Sequence, residues 1–217
     1  MIVTADGSHS LLNTALDETY HSRHGAVQES VYVFIEKGLE HWLSQTGSRS
    51  VSILEIGFGT GLNALLTAQY SKDHSVSIDY TSLEAFPVEE EIWGQLNYTD
   101  SAESVALFQK LHQAEWNKQT DVEGGFKLTK LHQTLQQVEL RDEAFDLIYY
   151  DAFAPNKQPE MWNYEMLEKV VMSMSKRSVF VTYCAKGQLK RDLRALGLDV
   201  ETLDGPPGKK EMVRASK

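Results

Sequence analysis

Val51-Ser52-Ile53-Leu54-Glu55-Ile56-Gly57-Phe58-Gly59-Thr60-Gly61 is the stretch that decides the fold. Its first six residues are mostly apolar and β-branched, as a buried strand requires, and Gly57 stops them. From Leu62 to Tyr70 the pattern changes, with Leu62, Leu65, Leu66 and Gln69 three or four residues apart on one helical face. A strand, a glycine turn and a helix in that order open a βα unit.

The same alternation continues downstream. Strands are expected at Ser77–Leu83, Phe126–Leu131, Phe145–Tyr150 and Ser178–Cys184. Helices are expected at about Ser101–Lys118, Pro159–Ser173 and Gln188–Leu196, the proline suiting a first helical turn. Two last runs, Asp199–Leu203 and Glu211–Ala215, flank Gly205-Pro206-Pro207-Gly208 and read as an antiparallel pair. The expectation is one Rossmann-like α/β domain over 51–217: a mostly parallel seven-stranded sheet with right-handed crossovers, closed by a C-terminal hairpin. Residues 1–50, with a helix at about Glu29–Ser44, are expected to form a helical and loop extension that caps the site.

The chain has 217 residues, 41 % of them hydrophobic and 24 % charged, which fits one globular core and not two. No apolar run nears the roughly 20 residues of a membrane span. The first six residues lack a signal-peptide pattern, and a lone cysteine, Cys184, excludes an internal disulfide. A cytoplasmic protein is therefore expected. The net charge of −10 argues against nonspecific nucleic-acid binding by the molecule as a whole. Residues 176–217, however, carry ten Lys/Arg against five acids. That end is either a basic patch or a solvated surface.

The glycine turn has the spacing G-x-G-x-G and follows an acid, Glu55, inside the strand. Dinucleotide enzymes use G-x-G-x-x-G, and no G-x-x-x-x-G-K-[ST] phosphate loop is present. The turn resembles the first motif of S-adenosylmethionine-dependent enzymes. Glu84, at the end of the second strand, is placed to accept hydrogen bonds from ribose hydroxyls. Asp151 ends the Phe145–Tyr150 strand, where a carboxylate can hold an amine and accept its proton, or only orient the lone pair. Phe153 and Trp162 can stack on a base or simply pack beside the strand. His21-x-x-His24 has no acid or cysteine at metal-ligand spacing, so no metal is expected. Tyr20, His21 and Ser22 either line a substrate entrance or make a structural turn. Cys184 reads as a buried, inert thiol.

Several stretches together resemble the methyltransferase part of the bifunctional bacterial MnmC-type enzymes that modify the tRNA wobble uridine. They are Asp6-Gly7-Ser8, Tyr20-His21-Ser22, Gly25-Ala26, Gly57 to Asn63, Ser82 to Pro87, Tyr150 to Trp162 and Gly205 to Met212. The resemblance implies methyl transfer from S-adenosyl-L-methionine to the exocyclic amine of 5-aminomethyl-2-thiouridine in tRNA. It implies cofactor contacts from Glu55, Gly57, Phe58, Gly59, Thr60, Gly61, Asn63, Glu84 and Asp151, with Asp151 catalytic beside the amine. The family often has Gly-Asp after the third strand, whereas Lys130-Leu131-His132-Gln133 stands here. Adenine contacts are therefore assigned to the neighbourhood of Leu131 and His132. Substrate contacts are assigned to Tyr20, His21, Ser22, Phe153, Pro155 and Trp162. Lys157, Lys186, Lys190, Arg191, Lys209 and Lys210 are the candidates for tRNA phosphate contact. The length leaves no room for the family's flavin-dependent oxidase domain. The expectation is thus a stand-alone methyltransferase, supplied from elsewhere or by a separate FAD-dependent oxidase.

Two further readings stand beside this one. The first is a methyl- or aminopropyl-transferase acting on a small amine, against which the basic end and the Asp151 motif both argue. The second is a noncatalytic RNA-binding module, against which the intact glycine turn, Glu84 and Asp151 argue.

Overall fold

The seven runs found in the sequence, joined by one further strand, pair as a sheet of eight strands. The computed structural model describes residues 1–217. The strands are β1 (Ser50–Ile56), β2 (Ser77–Leu83), β3 (Gln119–Glu123), β4 (Phe126–Leu131), β5 (Phe145–Tyr150), β6 (Met174–Thr182), β7 (Asp199–Asp204) and β8 (Glu211–Ser216). Their order across the sheet is β7-β8-β6-β5-β1-β2-β4-β3. β6, β5, β1, β2 and β4 are parallel. The C-terminal hairpin β7–β8 closes one edge antiparallel, as expected.

The eighth strand is β3, which directly follows the stretch expected as a long helix, Ser101–Lys118. That helix, α3, stops at Gln113 after starting at Ala102, where Ser101 Oγ accepts the Ser104 amide. Gln119–Glu123 then pairs antiparallel with β4 around Gly124-Gly125, both at positive φ. Only Val122 of this edge strand is buried, so it carries no apolar alternation to read. The glycine pair was the legible signal.

Because the central strands are covered on both faces, successive side chains feed two cores. Ile53, Tyr80, Leu128, Leu147, Tyr149 and Val181 enter one. Leu54, Ile56, Leu83, Ile148, Tyr150 and Phe180 enter the other, beneath α4 (Tyr164–Ser173) and α5 (Gly187–Ala195). The first core lies beneath α2 (Leu62–His74), α3 and a long N-terminal helical run, α1 (residues 26–46). Val31–Glu40 within that run is wound as a π-helix. Gly38 lets it approach the sheet closely: a Cβ there would lie 3.0 Å from Val181 Cγ2 and 3.3 Å from Tyr149 Cε1. Val33, Phe34, Leu39 and Trp42 share this core with the strands.

The start of the run is capped from a distance. Asp6 Oδ2 accepts the Gln28 amide at 3.1 Å, and Ser8 Oγ accepts the Ala26 amide at 3.2 Å. These side chains occupy first-turn donors that a helix leaves without partners. No helix is long and apolar enough to cross a membrane.

Candidate functional site

The sheet order reverses between β1 and β5, because β1 continues outward to β2 while the chain returns from β4 to β5 on the other side. Such a switch point opens a crevice at the carboxyl ends of the strands. A cavity of ≈ 840 Å³ lies there, within the usual size of small-molecule sites.

Gly57, Phe58, Gly59, Thr60 and Asn63 line it from the glycine turn and the start of α2. Gly57, Gly59 and Gly61 have φ of +97°, +50° and +75°, a region that other residues rarely adopt. At Gly57 there is no room for a side chain either, since a Cβ would lie 2.9 Å from the Asp151 carbonyl oxygen. The turn is anchored below by α3: the neutral His112 ring donates from Nε2 to the Thr60 carbonyl at 3.1 Å. Burial holds His112 down at about 4, so it stays uncharged at neutral pH.

Glu84 follows β2 and also lines the cavity. Its Oε2 accepts the Gly59 amide at 2.9 Å and its Oε1 the Phe86 amide at 2.9 Å. One carboxylate therefore ties the glycine turn to the end of β2 and keeps lone pairs for a ligand. Burial raises its pKa against the pull of these amides.

Asp151 continues the β1–β5 ladder by one residue, its amide donating to the Ile56 carbonyl at 3.0 Å. That step sets the carboxylate beside the glycine turn, where Asn63 Nδ2 donates to Oδ2 at 2.9 Å. Burial, then the Glu29 carboxylate, push Asp151 up to about 7; Asn63 and Lys209 oppose them. Glu55, on the neighbouring strand, is fully buried and accepts the Ser82 hydroxyl at 2.5 Å. Burial foremost, with Asp151 adding, raises it to about 8.

Of the cofactor residues expected from sequence, Gly57, Phe58, Gly59, Thr60, Asn63, Glu84 and Asp151 come together in the cavity wall. Glu55 and Gly61 support it from behind. Leu131 and His132 do not line it; the wall at that position is Gln133, Thr134, Leu135 and Gln136. Leu131 is bound up in the sheet, its carbonyl accepting the Glu84 amide, and His132 turns to Trp116.

Of the expected substrate residues, Tyr20, His21, Ser22, Phe153 and Lys209 line the cavity. Tyr20 and Phe153 meet edge to face at 4.9 Å between ring centroids. Trp162 is buried in the second core, donating from Nε1 to the Phe153 carbonyl at 2.7 Å, so its role here is to brace the Asp151 loop. Pro155 lies outside the wall, and Lys157 Nζ ties that loop to the Asp17 carbonyl at 2.8 Å. Lys186, Arg191 and Lys210 are exposed, and none pairs with a carboxylate; Lys190 pairs with Glu211 at 2.9 Å.

The sequence reading did not single out Glu29, Tyr183, the Asn13–Thr19 part of the wall or Gln133–Gln136. Tyr183 directly follows β6 and Gln133–Gln136 come one residue after β4, and that position was the signal available. Glu29 and the Asn13–Thr19 loop carried none.

Comparison with known proteins agrees with this architecture. The bifunctional tRNA 5-methylaminomethyl-2-thiouridine biosynthesis protein MnmC of Pseudoalteromonas atlantica is 30 % identical over 96 % of this chain and 32 % of its own length. Its counterpart in Methylobacillus flagellatus is 27 % identical over 90 % of the chain and 32 % of its own length. The chain thus spans about a third of the curated relatives it matches. The crystal structure of MnmC2 from Aquifex aeolicus superimposes with a TM-score of 0.76 at 23 % identity, covering 99 % of this chain and 68 % of that one, which shows the shared fold. A family model described as S-adenosyl-L-methionine-dependent methyltransferase matches residues 95–217, more than half of the sequence. With the glycine turn and the switch-point cavity, that match places the chain in the family of S-adenosyl-L-methionine-dependent methyltransferases.

Proposed function

We propose that this chain methylates the exocyclic amine of 5-aminomethyl-2-thiouridine at the tRNA wobble position. The observation that carries the reading is Asp151: a carboxylate in the wall of the switch-point cavity, fixed by Asn63 and poised at about 7.

The residues present fit S-adenosyl-L-methionine. The glycine turn offers a surface without side chains, Glu84 keeps free lone pairs, and a Cβ at Gly59 would crowd Tyr20 at 3.1 Å. Gly57, Phe58, Gly59, Thr60, Asn63 and Glu84 would hold it, with Glu55 and Gly61 supporting the turn. Gln133–Gln136 take the adenine side, next to Leu131 and His132. When bound, it supplies an electrophilic methyl group on a sulfonium.

Asp151 does the proton work. An aliphatic amine resembles lysine, near 10.4, and is mostly protonated at neutral pH. An ordinary aspartate accepts that proton across a gap of roughly seven pK units. At about 7, Asp151 faces a gap of roughly three, and is still ionised in half the molecules at neutral pH. Asn63 and the rigid strand end fix the carboxylate, so the freed lone pair keeps its direction.

Tyr20, His21, Ser22 and Phe153 form the amine side of the wall, and residues 1–50 act as its cap. Lys186, Lys190, Arg191 and Lys210 take tRNA phosphates. They follow β6 or lie at the turn before β8, which pairs with the end of β6, so they share the carboxyl edge of the sheet with the cavity. This reading places the protein in the cytoplasm, with tRNA as its partner. A separate FAD-dependent oxidase, or another source of aminomethyl-uridine, acts upstream.

The test offers S-adenosyl-L-methionine with a labelled methyl group to aminomethyl-bearing tRNA and, separately, to a polyamine. Label in the tRNA supports the proposal. Label only in the polyamine makes the chain a small-amine transferase, and label in neither ends the enzymatic reading.

A further inference from the structure

Glu29 is an acid only 5 % exposed that lines the same cavity. It comes from the N-terminal helical run. Its Oε2 accepts the Ser22 amide at 2.7 Å, and Lys209 Nζ lies 2.5 Å from Oε1. Lys209 belongs to the turn of the C-terminal hairpin, and its ammonium also sits 3.6 Å above the Tyr183 ring. Tyr183 in turn donates its hydroxyl to the Ala152 carbonyl at 2.8 Å, one residue past Asp151. The turn is pressed against the N-terminal segment, since a Cβ at Gly208 would collide with the His24 ring. The N-terminal and C-terminal segments therefore meet beside the loop that follows Asp151, in the wall of the cavity that Glu29, Lys209 and Asp151 all line.

We propose that Glu29 and Lys209 form with Asp151 one amine-recognition cluster, in which the ion pair is a positioning device for the base. The inference rests on the amine-methylation reading and assigns a role to two groups that reading leaves out.

The charge arithmetic favours this arrangement. With Asp151 ionised, the three groups sum to −1, and an entering ammonium brings the sum to zero. With Lys209 absent, Glu29 and Asp151 would be two unscreened carboxylates in one cavity, and one would stay protonated. With Glu29 absent, Lys209 would pull Asp151 down and repel the ammonium. Lys209 therefore offsets Glu29, leaving the base able to ionise without becoming weak. Asp151 in turn faces Glu55 from β1, Tyr80 from β2 and Tyr183 after β6, and accepts from the Asn63 amide, while His21, which faces Glu29 and Lys209, is held by burial at about 4. At neutral pH the tyrosines, His21 and Glu55 are uncharged, which leaves the Glu29–Lys209 pair as the source of opposed charges.

The Asp151 carboxyl can be titrated directly by carbon NMR in the intact protein, its signal identified by loss in Asp151→Asn. Glu29→Gln should move the midpoint to lower pH and Lys209→Met to higher pH, each by at least half a unit. The double variant should return toward the parent. With aminomethyl-bearing tRNA, Glu29→Gln should raise KM several-fold while the affinity for S-adenosyl-L-methionine stays within twofold. Midpoints that do not move, or that move in the same direction in both variants, overturn the cluster. If the parent protein transfers no methyl to tRNA while the midpoints move as stated, the amine-methylation reading fails and only the charge coupling of the three groups stands.

Discussion

Glu55→Gln is the substitution whose effect on stability follows most directly from the geometry. Glu55 is 0 % exposed; Oε2 takes the Ser82 hydroxyl, and Oε1 has no partner. Burial and the nearby Asp151 raise it from an ordinary 4.5 to about 8. Between those two values the folded protein holds a proton that the unfolded chain has released. Stability must then fall as pH rises through that window, by up to about 1.4 kcal/mol per pH unit, and level off above it. Over the window the loss is on the order of a few kcal/mol, a large share of the stability of a domain of this size. Glutamine keeps the shape and the acceptor for Ser82 but has nothing to ionise. Urea unfolding of both proteins at pH 5, 6, 7, 8 and 9 is the assay. The two should be similar at pH 5, and the variant should gain on the parent steadily up to pH 8. Parallel stability curves would refute the argument, because the carboxyl would then be ionised in the folded state at no cost.

Asp151→Ala should keep cofactor binding by calorimetry while methyl transfer falls at least a hundredfold, the usual worth of a positioned base; unchanged turnover removes Asp151 from the chemistry. Gly59→Val should abolish cofactor affinity while leaving the fold by circular dichroism, because the residue sits at φ +50° with Tyr20 against it. Asp6→Ala should cost about 0.5–2 kcal/mol at pH 7 through the lost cap on the helical run, measured by urea unfolding. Although burial works to raise Asp6, hydrogen bonds from Ser8, Thr4 and Gln28 hold it at about 2. Its contribution is therefore complete above its ordinary value of 3.8 and is lost as pH falls toward 2, where the difference between parent and variant should vanish.

The parallel core of the sheet, its closing hairpin and the glycine turn were legible in the sequence because each has a local cause. A strand covered on both faces must be apolar, a turn at positive φ must use glycine, and Ser101 caps its own helix. Asp151 and Glu84 were legible as acids at strand ends for the same reason. β3 was not, since an edge strand with one buried residue looks like a loop until β4 is beside it. Nor was the difference between Phe153 in the cavity wall and Trp162 in the core, two aromatic residues of one loop. Glu29 reads as an ordinary helix acid until the chain folds, for 180 residues separate it from Lys209. Apart from the edge strand β3, local sequence settled which segments of the sheet domain become strands, helices and turns, because those choices depend on neighbours a few residues away. Which charges share a cavity, and hence how strongly Asp151 holds its proton, was decided only by packing, because electrostatic energy depends on distance and burial in space.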